Sequence, residues 1–254
     1  GDFILDGGSV GVEPLQGETQ KPNTASEKGG GVYVQAENDS STANATVNSG
    51  NVWYNSATEG GGIYLAKGKG DFTLNGETAI ISHNTATNGG GIYLYKDPLL
   101  NQGSITNNTA EKNGGGMYIG DCLVTLNPEK DVYITENQAV KGAGIYIHRL
   151  TGGSGSTESL VSAVDAVAQA SPEPEHRVGL HVAEAEGTVH FTKNTATESG
   201  GAVCVDMGYF VLESDKIVIT ENHAVNGGGV AVPFDKGFTA EELASCIGRS
   251  EITV

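Results

Sequence analysis

Along most of the chain, apolar and polar positions alternate in short runs, and those runs return at intervals. One set follows glycines: GVYV at 31–34, GIYL at 62–65, GIYLY at 91–95, GMYI at 116–119 and GIYI at 144–147. A second set reads DFTLN (71–75), CLVTLN (122–127) and GYFVLES (208–214). A third ends at an asparagine: IISHN (80–84), SITNN (104–108), VYITEN (132–137), VHFTKN (189–194) and IVITEN (217–222). Period-two alternation is the signature of a half-buried strand, so each repeat is read as three short strands joined by Gly- and Asn-rich turns.

The repeated asparagines, at 23, 55, 84, 108, 137, 194 and 222, are separated by 32, 29, 24, 29, 57 and 28 residues. Such a period belongs to solenoids, in which each unit buries its apolar face against its neighbours. The 57-residue step contains RLTGGSGSTESLVSAVDAVAQASPEPEH (149–176), where Leu160, Val161, Val164 and Val167 recur at helical spacing behind Thr157 as an N-cap. Removing those 28 residues leaves an ordinary step of 29, so the segment is expected to be a helical flap on one coil. FTAEELASCIG (238–248), with Thr239 and Glu242 at capping-box spacing and Gly248 as a stop, predicts a second short helical excursion.

The expected fold is therefore all-β: a single-stranded right-handed parallel β-helix over residues 1–254, with handedness taken from the rule for parallel crossovers. The chain begins without Met, and SEITV at 250–254 opens another third-strand run. Both features point to a fragment of a longer repeat array.

Three residues before each asparagine stand Val52, Ile81, Ile105, Ile134, Phe191 and Ile219, which are assigned to the core. Two residues after each comes Ala25, Ala57, Ala86, Ala110, Ala139, Ala196 or Ala224, where a narrow coil leaves room for a methyl group only. Asparagine tolerates the left-handed conformation of a sharp turn, and its amide can pair with the amide one coil away. Asn55, Asn84, Asn108, Asn137, Asn194 and Asn222 are thus expected to form a ladder. Alternation after the glycines sends Ile63 and Leu65 inward and Tyr64 outward. The same offset gives Tyr33, Tyr64, Tyr93, Tyr118 and Tyr146, then Cys204 and Ala231. An outward tyrosine column supplies rigid amphipathic area for a sugar ring or a protein, and these five are the candidate ligand-binding residues.

Charge narrows the partners. With Asp+Glu at 31 and Lys+Arg at 14, the net charge is −17, which disfavours nucleic acid and anionic membrane surfaces. No run of ~18 apolar residues is present to span a bilayer, so no membrane insertion by this fragment is expected. Cys122, Cys204 and Cys246 are too few for a disulfide framework, include no CxxC pair, and have no assigned role.

The alternating GG(A/G)-apolar and apolar-x-x-Asn tetrapeptides resemble those of the polymorphic outer-membrane proteins of chlamydiae and related β-helical surface adhesins. In that family GGA followed by Ile, Leu or Val recurs with Phe-x-x-Asn. GGAV at 200–203 and FTKN at 191–194 match directly, whereas GGG, and Ile or Val, stand elsewhere. The resemblance spans residues 20–232 and implies an extracellular or bacterial cell-surface passenger, often an adhesin.

Enzymatic chemistry finds less support. β-Helical pectin hydrolases resemble one another in Asn-x-Asp, Asp-Asp, Gly-His-Gly and Arg-x-Lys motifs, and the last three are missing here. Arg149 and Arg177 flank the 149–176 segment beside His148 and His176, so a carbohydrate-active enzyme with its site beneath the flap is the alternative, and a purely structural spacer is a third. Glycines 89–91 lack the Lys-Ser/Thr and the helix of a phosphate loop, and the calcium nonapeptide is absent. No catalytic residue, metal or cofactor is expected. The reading at this level is a monomeric, non-enzymatic adhesin or stalk fragment that meets a host-surface glycan or protein.

Overall fold

The computed structural model describes residues 1–12, 21–37, 41–68, 70–120, 122–126, 128–148, 179–182, 185–206, 209–212 and 214–233. Both predicted helical excursions, 149–176 and 238–248, lie outside the described residues. What is described is a right-handed parallel β-helix, and every strand pairing in it is parallel.

Three long sheets run along the solenoid. The first has seven strands: Phe3–Val10, Ala45–Trp53, Phe72–Ser82, Leu99–Thr106, Val132–Thr135, Val189–Thr192 and Ile217–Thr220. The second is built from the short strands that follow each asparagine, such as Thr85–Asn88 and Thr109–Asn113. The third follows the glycines, from Val32–Val34 to Val230–Ala231. Among the described residues a fourth sheet of three strands, Leu123–Leu126, Gly179–Val182 and Tyr209–Leu212, runs through the later coils.

Two details differ from the expectation of three strands with bare corners. The second and third runs fuse in the early coils, so that Phe72–Ser82 is one strand. Its register against Ala45–Trp53 slips between Val47 and Gly50, where Gly50 has a φ of 90°; a glycine bulge bends the strand without ending it. In the later coils the runs separate, and in the first of these Pro128 removes a donor beside the break. The segment between the asparagine and the glycines is not a bare corner either, since it pairs in register, Ala57 with Ala86 and Ala86 with Ala110.

Register explains the core. Ile81, Ile105, Ile134 and Phe191 stack coil on coil and have no exposed surface. Ile63, Ile92, Met117, Ile145 and Val203 do the same from the third sheet. The 57-residue step is a single coil, because Val132 pairs with Val189 and Ile145 with Val203.

Candidate functional site

The two repeated columns were the sequence's candidates, and their geometry decides what each does. In the ladder, Asn84 is fully buried. Its Nδ2 donates to Asn108 Oδ1 at 3.0 Å and to the Val52 carbonyl of the preceding coil at 2.8 Å. Its own Oδ1 accepts from the Asn55 backbone N–H and from Asn55 Nδ2, both at 3.0 Å. Asn108, Asn137 and Asn194 repeat the pattern, and Asn222 closes the series. Every amide hydrogen and both acceptor sites are used, so polar groups are buried without penalty.

The left-handed backbone sits one residue earlier than the sequence suggested. Tyr54, His83, Asn107, Glu136, Lys193 and Glu221 have φ between 52° and 58°, whereas the ladder asparagines do not have positive φ. The physical reason is direction. A residue in the left-handed region turns the chain, and the next residue then points its amide inward, where the adjacent coil can meet it.

The tyrosine column needs a larger correction. Tyr64, Tyr93, Tyr118 and Tyr146 are buried, each 6% exposed or less, and only Tyr33 is open, at 49%. Alternation does turn them away from the aliphatic core, but they form a second cluster with Cys204 rather than a solvent face. Successive rings from Tyr33 to Tyr118 stack with centroids 5.5, 5.3 and 4.3 Å apart, and Tyr146 packs tilted on Tyr118 at 5.3 Å, so each covers its neighbours. Tyr95 meets Tyr93 edge-on and the Lys28 ammonium lies 4.9 Å over the Tyr64 ring. Tyr33 is exposed because it ends the column. Burial pushes the phenols of Tyr64, Tyr93 and Tyr146 well above their ordinary range, and that of Tyr118 up to about 12.

Period-two alternation separates core from non-core, and it does not separate solvent from a second packed row. Tyr64, Tyr93, Tyr118 and Tyr146 are thus not placed to meet a ligand. Tyr93→Ala is expected to lower stability by about 3 to 4 kcal/mol, the range for emptying a buried aromatic site. Tyr93→Phe should cost under about 1.5 kcal/mol. Urea unfolding of both variants checks this, and an alanine cost below 1 kcal/mol would show that the rings add no packing.

At the far end of the column lies a cluster that sequence reading did not assemble. Asp206 Oδ2 accepts from the Tyr146 hydroxyl at 2.8 Å and stands 2.9 Å from His148 Nδ1. His148 and Asp206 pair directly across coils, each two residues beyond the column position, so the offset itself was a usable signal. Arg149, Arg177 and His176, weighed with His148, lie outside the described residues. The hydrogen bond from His148 leads the effects that hold the Asp206 carboxyl below its usual range, against the opposing effect of burial. An acid whose pKa falls on folding adds stability above its unfolded pKa, about 3.9, and loses it as pH drops through the folded value. Asp206→Asn should therefore destabilise by about 1 to 2 kcal/mol at pH 5 to 7, allowing for partial exposure. That deficit should shrink below pH 4, and thermal unfolding from pH 3 to 7 reads it. A deficit unchanged at pH 3 would rule out a charge-based role.

Outside these columns, the first sheet carries Tyr133, 42% exposed and stacked on His190 with centroids 4.7 Å apart. Asp131 lies beside both, 3.4 Å from the Tyr133 hydroxyl and 3.7 Å from His190 Nε2. No group of three or more potential metal ligands occurs among the described residues.

Parallel coils locked by an internal amide ladder and a ring stack define a β-helical repeat protein. Within it, residues 188–206 match the family model of the Chlamydia polymorphic membrane protein (Chlamydia_PMP) repeat. At the level of that family, the match supports a location at the cell surface. No curated protein and no solved structure matches the chain. The matched stretch contains FTKN and GGAV, and their parts are structural: Phe191 fills the core, Asn194 is a rung, and Ala202 and Val203 are fully buried.

Proposed function

We propose that the chain is a non-enzymatic, surface-displayed passenger that binds a host glycan or protein through a lateral face of the solenoid. The observation that carries this reading is a contrast between adjacent rows of the first sheet. The inward row repeats one chemistry: Ile81, Ile105, Ile134, Phe191, Ile219. The outward row beside it changes at each coil: Ile80, Ser104, Tyr133, His190, Val218. Repetition inside with diversity outside is the arrangement of a display scaffold, in which stability and recognition occupy separate positions. The repeat match at 188–206 supports the surface location.

A carbohydrate-active enzyme is the second reading, and the His148–Asp206–Tyr146 cluster beside the 149–176 segment is what favours it. Against it, Asp206 Oδ2 is committed to two neighbours of the same cluster. Attachment of the purified chain to host cells and to a glycan array, alongside a reducing-end and unsaturated-product assay on acidic polysaccharides, separates the two. Saturable attachment without turnover is expected. Turnover that disappears in His148→Ala would overturn the non-enzymatic reading.

A further inference from the structure

The outward row on the first sheet has a gap. Ser104 stands between Ile80 and Tyr133 in a registered column, and one face of the Tyr133 ring is already stacked on His190 at an interplanar angle of 12°. The opposite face is turned toward serine, which is too short to cover it. Coils repeat at about 4.8 Å, so the vacant position leaves roughly 9.6 Å between the Ile80 and Tyr133 levels. That spacing admits one planar group in contact on both sides, at roughly 3.5 to 4 Å each.

A groove of about 430 Å³ opens at this place, floored by Gly103 and Ser104 with Tyr133 as a wall. Its rim carries the exposed carboxylates of Glu77, Glu129, Asp131 and Glu186 against the single lysine Lys130. Asp131 is already engaged, since its Oδ1 accepts from the Thr188 backbone N–H at 2.9 Å. The three glutamates are the lining carboxylates without a bond to Thr188, and they carry the excess negative charge of the rim.

Shape and charge select the occupant. A neutral sugar stacks on an exposed tyrosine but leaves the negative rim uncompensated. An anionic glycan is repelled by it. A guanidinium is planar, weakly hydrated, favoured over an aromatic face, and able to fork two hydrogen bonds to a carboxylate. A lysine ammonium carries the charge without the plane. We propose that the groove over Ser104 receives an arginine side chain of a protein partner, stacked on Tyr133 and paired with the glutamate rim. This rests on the passenger reading above and specifies the partner as a protein with an exposed arginine.

The test uses the full chain with three probes in a Gly/Ser hexapeptide background, bearing arginine, lysine or citrulline, followed by the tyrosine ring resonances in NMR. Saturable shifts of the Tyr133 ring with the arginine peptide are expected, weakened at least tenfold by Glu129→Gln/Glu186→Gln and by raising salt from 50 to 500 mM. The lysine peptide should bind more weakly, and the uncharged citrulline peptide should leave Tyr133 unmoved. With the arginine peptide followed by titration calorimetry, Tyr133→Phe should retain binding and Tyr133→Ala should lose it, with circular dichroism showing that both stay folded. Equal response to arginine and citrulline, or none to arginine, overturns the proposal, as does a Tyr133 shift produced by neutral glycans alone. Host-cell attachment separates the two levels. Attachment undiminished in Tyr133→Ala removes the groove and keeps the passenger, whereas no attachment by the unaltered chain removes the passenger reading itself.

Discussion

Asn108→Ala is expected to lower stability by about 4 kcal/mol, an unusually large cost for a change that removes so few atoms. The side chain accepts from the Asn84 backbone N–H and Asn84 Nδ2, and donates to the Ile81 carbonyl and Asn137 Oδ1. Deletion strands two donors of a fully buried neighbour where no water reaches, at about 1 to 3 kcal/mol each. Asn108→Asp should do no better, because it keeps the acceptors but aims charge at two further oxygens. Asn23→Ala supplies the comparison, since Asn23 is exposed and makes one ladder bond, to Asn55 Oδ1 at 2.8 Å; its cost should stay under about 1 kcal/mol. Urea midpoints together with amide exchange in the flanking coils read both variants. Equal costs at the end and in the middle would remove burial as the source of the effect.

Gly90→Ala carries the second large expectation, a loss of about 3 kcal/mol or more. A Cβ there would stand 2.5 Å from the Thr109 carbonyl oxygen and 2.6 Å from that of Gly115, both backbone atoms of the next coil. Neither swings aside like a side chain, so the stack itself must shift. Gly91 joins this corner to the ladder: its Cβ would lie 3.1 Å from the Asn108 amide group. At Gly68 nothing lies closer than 3.9 Å, and alanine there should change stability by under about 0.5 kcal/mol. Thermal unfolding of the two alanine variants gives the contrast. Similar melting points would show that the glycines serve something other than close approach.

The fold was legible because its signals are periodic. Spaced asparagines, alanines and glycine triplets give a coil length, and the residue three before each asparagine gives the core column from Val52 to Ile219. Even the long step fits one coil, as the Asn137–Asn194 bond at 3.1 Å shows. What the pattern did not carry was lateral context. Tyr93 looked outward because alternation has only two states, whereas the coil offers a third, a ring stack beside the glycine corner. The outward row was hidden for the opposite reason: Ser104, Tyr133 and His190 share no chemistry, so nothing marks them as a row until register aligns them. His148 and Asp206 lay between these cases, related by a constant offset that alternation alone did not single out.

The ladder also has a mechanical meaning. Each amide gives one hydrogen to the next rung, from Asn23 through Asn194 to Asn222, and each coil is held by the coils on either side. Under tension applied at its termini, such a stack should come apart one turn at a time from an end. An ordinary turn of 29 residues would release roughly 100 Å of extended chain. The turn between Asn137 and Asn194, at 57 residues, would release about twice that in one event. The irregular spacing written in the sequence is thus a ruler for the order in which the molecule yields.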